Sequence, residues 1–73
     1  MDGWLQQPNG PNVLRFHRDP AARYKAYVFI DRGEPIPGQP ALLKRRERLS
    51  RKWAVEQWQK LLKAGWRRVE PQW

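Results

Sequence analysis

Between residues 44 and 52 the chain carries Lys44, Arg45, Arg46, Arg48, Arg51 and Lys52 against one opposing acid, Glu47, and Arg67-Arg68 follow further on. A guanidinium presents a planar fork of donors that matches phosphate oxygens, so such a run is chemistry for a polyanion backbone. Trp53 stands directly after the run, and an indole with one face in water is a stacking platform for a base. These nine residues form the candidate surface for nucleic acid. The alternative is protein interaction, in which the chain docks an acidic partner or self-associates through a Trp/Arg surface, with Trp4, Trp53 and Trp73 as an exposed patch. A blander account is also open: the basic run is a solvated edge that discourages sheet-to-sheet association, and the five Trp pack a small core.

For catalysis the inventory is thin. There is one His, Ser50 is the lone Ser, and Cys and Thr are absent. His17 titrates near neutral pH when unperturbed, and Asp19, two residues on, stands where an orienting carboxylate would. A lone His on a mixed strand face is more often a surface or half-buried residue, and Ser50 has work as a helix cap. No convergent set of titratable groups can be assembled, so no catalytic residue is assigned and the chain reads as a non-enzyme without cofactor. One His and scattered carboxylates match neither a zinc spacing nor a calcium loop, so no metal is expected.

Seventy-three residues allow one compact domain, 1–73, and not a second core. The formal net charge of +8 creates a positive field that favours polyanions, although charge alone speaks to attraction and on-rate, not to role. Without Cys there are no disulfides or thiolate metal sites, which suits a reducing compartment, and the cytoplasm is the expected location. The first residues lack a basic and apolar secretory pattern, and no apolar stretch approaches the ~20 residues that span a bilayer, so a soluble protein is expected.

The elements that must position these residues follow from pattern. Gly3-Trp4-Leu5-Gln6 reads as a short strand, and Gln7-Pro8-Asn9-Gly10 as a turn with positive φ at Asn-Gly. Val13 to His17 is a second strand, with Leu14 and Phe16 on one face and Val13, Arg15 and His17 on the other. Asp19-Pro20 breaks it. Tyr24 to Asp31 is the best strand, β-branched and aromatic, with Ala26, Val28 and Ile30 opposite Tyr27 and Phe29, which points to a central place. Arg32 to Pro40, with three Pro and two Gly, reads as a loop or edge excursion. Ala41 to Leu49 is open between helix and edge strand, with a lean to strand.

From Arg51 the period becomes helical. Ser50 is the N-cap, Ala54, Val55, Trp58, Leu61 and Leu62 form one stripe, and Lys52, Glu56 and Lys60 make an i,i+4 ladder opposite. Gly65 takes the left-handed position that ends the helix, with Trp66 folding back on Leu61 or Leu62. Arg67 to Pro71 leaves as a short strand with Val69 inward. The fold class is therefore α+β: a small twisted antiparallel sheet, in the order β-β-β-(β)-α-β, with one helix from the C-terminal half packed on one face.

Certain pieces taken together carry a resemblance. Gly3-Trp4-Leu5, Val13-Leu14-Arg15-Phe16 with Asp19, Asp31-Arg32-Gly33 with Pro35 and Pro37, and Leu42-Leu43-Lys44 with Arg46 lead into Ala54, Trp58, Leu61, Gly65-Trp66, Val69, Pro71 and Trp73. In this order the chain resembles a family of small proteins of marine picocyanobacteria, domain-of-unknown-function family 1651, across nearly its whole length. The resemblance implies no established activity, so no site residue is carried over from it.

Overall fold

The computed structural model describes residues 1–23 and 26–73. Among the described residues five strands, β1 (Gly3–Gln6), β2 (Val13–Arg18), β3 (Tyr27–Ile36), β4 (Gln39–Ser50) and β5 (Arg67–Val69), form one antiparallel sheet in the order β4-β3-β2-β1-β5. The helix α1 (Arg51–Lys63) follows β4 directly and packs on one face. This is the small α+β fold expected. The first two residues of the strand expected from Tyr24, residues 24 and 25, lie outside the described residues. Among the described residues no helix is long and apolar enough to cross a membrane.

Arg32 to Pro40 departs from the expected loop. β3 runs on to Ile36 and β4 starts at Gln39, with Pro37-Gly38 between them and Gly38 at φ +72. Pro followed by a glycine at positive φ is the pair a type II turn uses. The prolines are tolerated because the β3–β4 pairing shifts register between Arg32 and Gly33 and again between Glu34 and Ile36. At such irregularities a ladder donor is not needed from every residue. The Gln7 to Asn12 turn departs in a smaller way. Glycines with positive φ are Gly38 and Gly65, so Gly10 does not use that freedom. Instead the loop is tied by side chains: Gln6 Nε2 donates to the Gly10 carbonyl at 2.9 Å, and Asn12 Nδ2 donates to Gln7 Oε1 at 3.1 Å.

Cross-strand partners share a face, so the register sorts every strand residue. On the helix side lie the rows Gly3–Phe16–Ile30–Glu47, Arg68–Leu5–Leu14–Arg32–Arg45 and Arg18–Val28–Leu49. Leu5, Phe16, Val28 and Ile30 are buried there with Ala54, and Trp58, Leu61, Leu62 and Trp66 pack against them. Val55, assigned to the same stripe, is exposed instead, because it sits on the far flank of a helix whose contact line runs through Ala54, Trp58 and Leu61.

Both ends of α1 are closed as the pattern demands. Ser50 is extended, and its Oγ accepts from Trp53 N–H at 3.5 Å. At the other end Trp66 N–H reaches the Leu61 carbonyl at 3.0 Å and Gly65 N–H the Leu62 carbonyl at 3.1 Å, with Gly65 at φ +100. That pair of bonds is the Schellman arrangement, which satisfies carbonyls the helix leaves open. The Lys52, Glu56 and Lys60 ladder is not closed, since none of these pairs lies within ion-pair distance among the described residues.

Trp58 sets the approach of helix to sheet. Its ring meets Phe16 edge-on, centroids 5.0 Å apart, and a Cβ on Gly3 would lie 2.6 Å from its outer ring carbon. Gly3→Ala should therefore cost about 1–3 kcal/mol by overpacking. In a Trp58→Phe background, where that carbon is gone, the Gly3→Ala penalty should shrink; urea midpoints of the double-mutant cycle measure both.

Candidate functional site

Alternation along β4 divides the basic run between two faces. Arg46 and Arg48 project from the face opposite the helix, while Arg45 and Glu47 project from the helix face. Lys44 falls at the register shift and turns its Nζ to Glu34 Oε2 at 3.0 Å and Asn12 Oδ1 at 3.4 Å.

Opposite the helix, cations and aromatic rings interleave around two buried carboxylates. Asp31 accepts from Arg46 through Nε at 2.6 Å and Nη2 at 3.0 Å, and its Oδ2 lies 2.7 Å from His17 Nε2. The Arg46 guanidinium also sits 4.5 Å above the Phe29 ring. One step along the strands, Arg48 bonds Asp19 Oδ2 at 2.8 Å and lies 3.8 Å above the Tyr27 ring. Asp19 is held further by the Ala21 N–H at 2.9 Å. Burial pushes the Asp31 carboxyl up, but the Arg46 fork and the His17 bond outweigh it and hold Asp31 below the ordinary carboxylate value. For Asp19 the Arg48 bond is the largest cause, followed by the Ala21 amide, and again the carboxyl is held low.

His17 thus takes Asp31 from the neighbouring strand as its partner, not Asp19 from its own. A residue two positions along a strand is a same-face neighbour at about 6.6 Å, whereas a cross-strand diagonal brings side-chain tips into contact. Asp19 lies beyond the end of β2 and serves Arg48 instead.

The other sequence-selected residues are dispersed. β4 and β5 occupy opposite edges, four strand spacings or about 19 Å apart, so the Lys44 to Lys52 run and Arg67-Arg68 do not lie side by side. Arg68 shares the helix side and lies 5.9 Å from the Trp58 ring, while Arg67 projects the other way. Trp4 and Trp73 pack together, centroids 4.5 Å apart and rings near perpendicular, with Trp4 buried. The expected Trp4, Trp53 and Trp73 patch is therefore not formed. Trp53 stands apart with 60% of its surface exposed.

Pairing separates the cations into two populations. Lys44, Arg45, Arg46 and Arg48 each hold a carboxylate, respectively Glu34, Glu47, Asp31 and Asp19. Among the described residues no ion pair is made by Arg18, Arg32 or Arg68 on the helix face of the sheet, nor by Arg51, Lys52, Lys60 or Lys63 on α1. On the opposite face Arg15 and Arg67 are likewise without an ion pair among the described residues, so uncompensated positive charge is present on both faces and denser on the helix side. Two shallow clefts flank α1 there: one of about 130 Å³ lined by Leu14, Ile30, Arg32, Arg45, Glu47 and Gln57, the other of about 170 Å³ lined by Met1, Arg18, Ala26, Tyr27, Val28 and Arg51. Arg18, Arg32 and Gln57 had not been singled out from the sequence. The signal that finds them is register, since Arg32 joins Arg45 only once β3 is known to continue through Gly33.

The chain belongs to the family described as "Protein of unknown function (DUF1651)", whose model matches residues 2–73. No curated protein and no solved structure matches it.

Because Asp31 and Asp19 are held low in the folded chain, the unfolded chain binds more protons in acid. Their contribution is complete above the unfolded carboxylate value near pH ~3.9 and drains as pH falls through the lower folded values. Asp31→Asn should lower stability at neutral pH by about 1–2 kcal/mol, the lower part of the range for charged hydrogen bonds because Arg46 remains 55% exposed. It should also flatten the acid limb. Denaturant midpoints from pH 6 to pH 2, compared with the parent chain, read both effects.

Proposed function

We propose that this protein is a small binding module for nucleic acid, without catalytic residues, and that the helix-bearing side is its contact surface. The supporting observation is the partition of charge. Arg46 and Arg48 on the opposite face are engaged with Asp31 and Asp19 and lie over Phe29 and Tyr27, and Arg15 and Arg67 there have no ion pair, whereas on the helix side Arg45 is held by Glu47 and Arg18, Arg32, Arg51, Lys52, Lys60, Lys63 and Arg68 have no ion-pair partner among the described residues. An uncompensated set of Arg and Lys is what exchanges condensed counterions for phosphate contacts. Of the residues first considered, Arg45, Arg51, Lys52, Trp53 and Arg68 remain on this surface, and Arg18, Arg32 and Lys60 join them. Lys44, Arg46, Arg48 and Arg67 leave it. His17 is bound to Asp31 beside the Phe29 ring, 5.5 Å between centroids, which supports a structural and not a catalytic part for it.

If about four phosphates are contacted, the association constant for a single strand should fall with roughly the third power of salt concentration. Two adjacent arginines provide the internal control. Arg68→Glu, on the helix side, should weaken binding to all sequences alike, while Arg67→Glu, which carries the same charge change on the other face, should leave it near the parent value. Fluorescence anisotropy with a labelled oligonucleotide across a salt series makes the comparison. Equal effects of the two reversals would mean the helix side is not the surface. Binding of an acidic peptide in place of the oligonucleotide, with the same dependence on Arg68, would move the reading to an acidic protein partner.

A further inference from the structure

α1 leaves the end of β4 and crosses the sheet towards β1, where Trp58 meets Gly3 and Gly65 comes within 3.6 Å of Pro8, measured from an ideal Cβ. A diagonal helix leaves a triangle of the face open on either flank. The corner at the β3 and β4 end is the row Leu14–Arg32–Arg45, with Ile30 beside it, and Gln57 of α1 forms its opposite wall. Trp53 and Lys60 stand one turn before and after Gln57 and share its flank of the helix. The corner is therefore a groove with an apolar floor of Leu14 and Ile30, Arg32, Arg45 and Glu47 on the strand side and the Gln57 amide on the helix side, with Trp53 and Lys60 on the same flank of α1 beyond its lining.

Within this groove the arrangement is incomplete as it stands. Arg32 and Arg45 are direct cross-strand partners, and like charges directly opposite each other on one face repel. Glu47, 2.7 Å from Arg45, accounts for one of them, and Arg32 has no ion-pair partner among the described residues. An anion between the two guanidinium groups removes the repulsion. A volume of about 130 Å³ is well below that of a site for a whole small-molecule ligand and suits one phosphate group. Trp53 then supplies what a bare anion site does not need: an exposed indole, one helical turn from Gln57, on which an adjacent base can lie.

We infer that this groove is a single-strand subsite, in which Arg32 and Arg45 hold one phosphate of a nucleic acid strand and Trp53 stacks the neighbouring base. The inference rests on the proposed binding of nucleic acid to the helix side and adds the strand preference. A duplex keeps its base faces within its own stack, so it can use the outer cations but not the indole. A carboxylate-bearing peptide would satisfy the arginines and leave Trp53 unused, which is why the nucleic acid is favoured.

The test compares a uridylate octamer, a duplex of equal phosphate number and an oligoglutamate peptide, each titrated into the full chain at low and at physiological salt. Trp53→Ala should weaken octamer binding about 5- to 150-fold. Trp53→Phe should recover most of that loss, and duplex binding should change by less than about twofold, because phosphate contacts alone carry it. Arg32→Gln should weaken the octamer and abolish the shift of the Arg45 Nε–H resonance on its addition. Octamer binding that responds to Arg68→Glu but to neither Trp53→Ala nor Arg32→Gln would overturn the groove and leave the helix-side surface standing. No octamer binding at low salt would remove both. Oligoglutamate shifting the Trp53 and Arg45 resonances where the octamer does not would assign the groove to an acidic peptide and overturn the subsite.

Discussion

A carboxylate cannot be buried alone, and Asp31 is buried in the middle of β3, an interior strand flanked by β4 and β2. The desolvation of such a group costs several kcal/mol unless donors replace the lost water, so the chain around it is organised to supply them. Arg46 reaches it with two prongs from β4 and His17 with one nitrogen from β2. Each donor comes from a different neighbour of β3, which means the bonds form together only in one register of three strands. A shift of β4 by one residue would send Arg46 to the helix face and bring Arg45 or Glu47 opposite Asp31 in its place, exchanging the faces of the whole strand. The register in turn decides which side of the molecule every other side chain occupies.

The same constraint decides the distribution of charge. With Asp31 and Asp19 drawing Arg46 and Arg48 across Phe29 and Tyr27, the face opposite the helix becomes a layer of paired charges over rings. Guanidinium groups are suited to this layer because they are planar, weakly hydrated and able to bond in plane while stacking. The excess of positive charge is thereby displaced to the helix side. Paired arginines on β4 have a second consequence: a twelve-residue edge strand would otherwise invite another strand, and a line of charged side chains discourages it.

Helix placement is governed by an equally specific steric requirement. Gly3 has no side chain, so the Trp58 ring can lie on the β1 backbone and meet Phe16 by its edge. That contact anchors the far half of α1 near β1, while Ser50 ties its start to the end of β4 with no linker between. A helix fixed at those two points must run diagonally. The open corner with Arg32, Arg45, Gln57 and Trp53 is the geometric remainder.

Local and periodic features were legible from residue order. The stripe Ala54, Trp58, Leu61, the caps at Ser50 and Gly65, the strand at Val13 and the interior strand at Val28 and Ile30 all follow from side-chain spacing and backbone preference, which act within a few residues. The α+β class followed from them. What order did not reveal depends on contacts between distant segments. Arg32 to Pro40 reads as a loop because Pro and Gly oppose strands locally, and pairing with β4 across two irregularities overrides that preference. The nine candidate binding residues, adjacent or nearly so in the chain, were divided by the two-residue period of β4 and by the placement of β5 on the opposite edge. Whether a given arginine was free to meet a phosphate depended on a carboxylate 15 or 29 residues away. Electrostatic pairing acts through space, and only the folded chain decides which charges are neighbours.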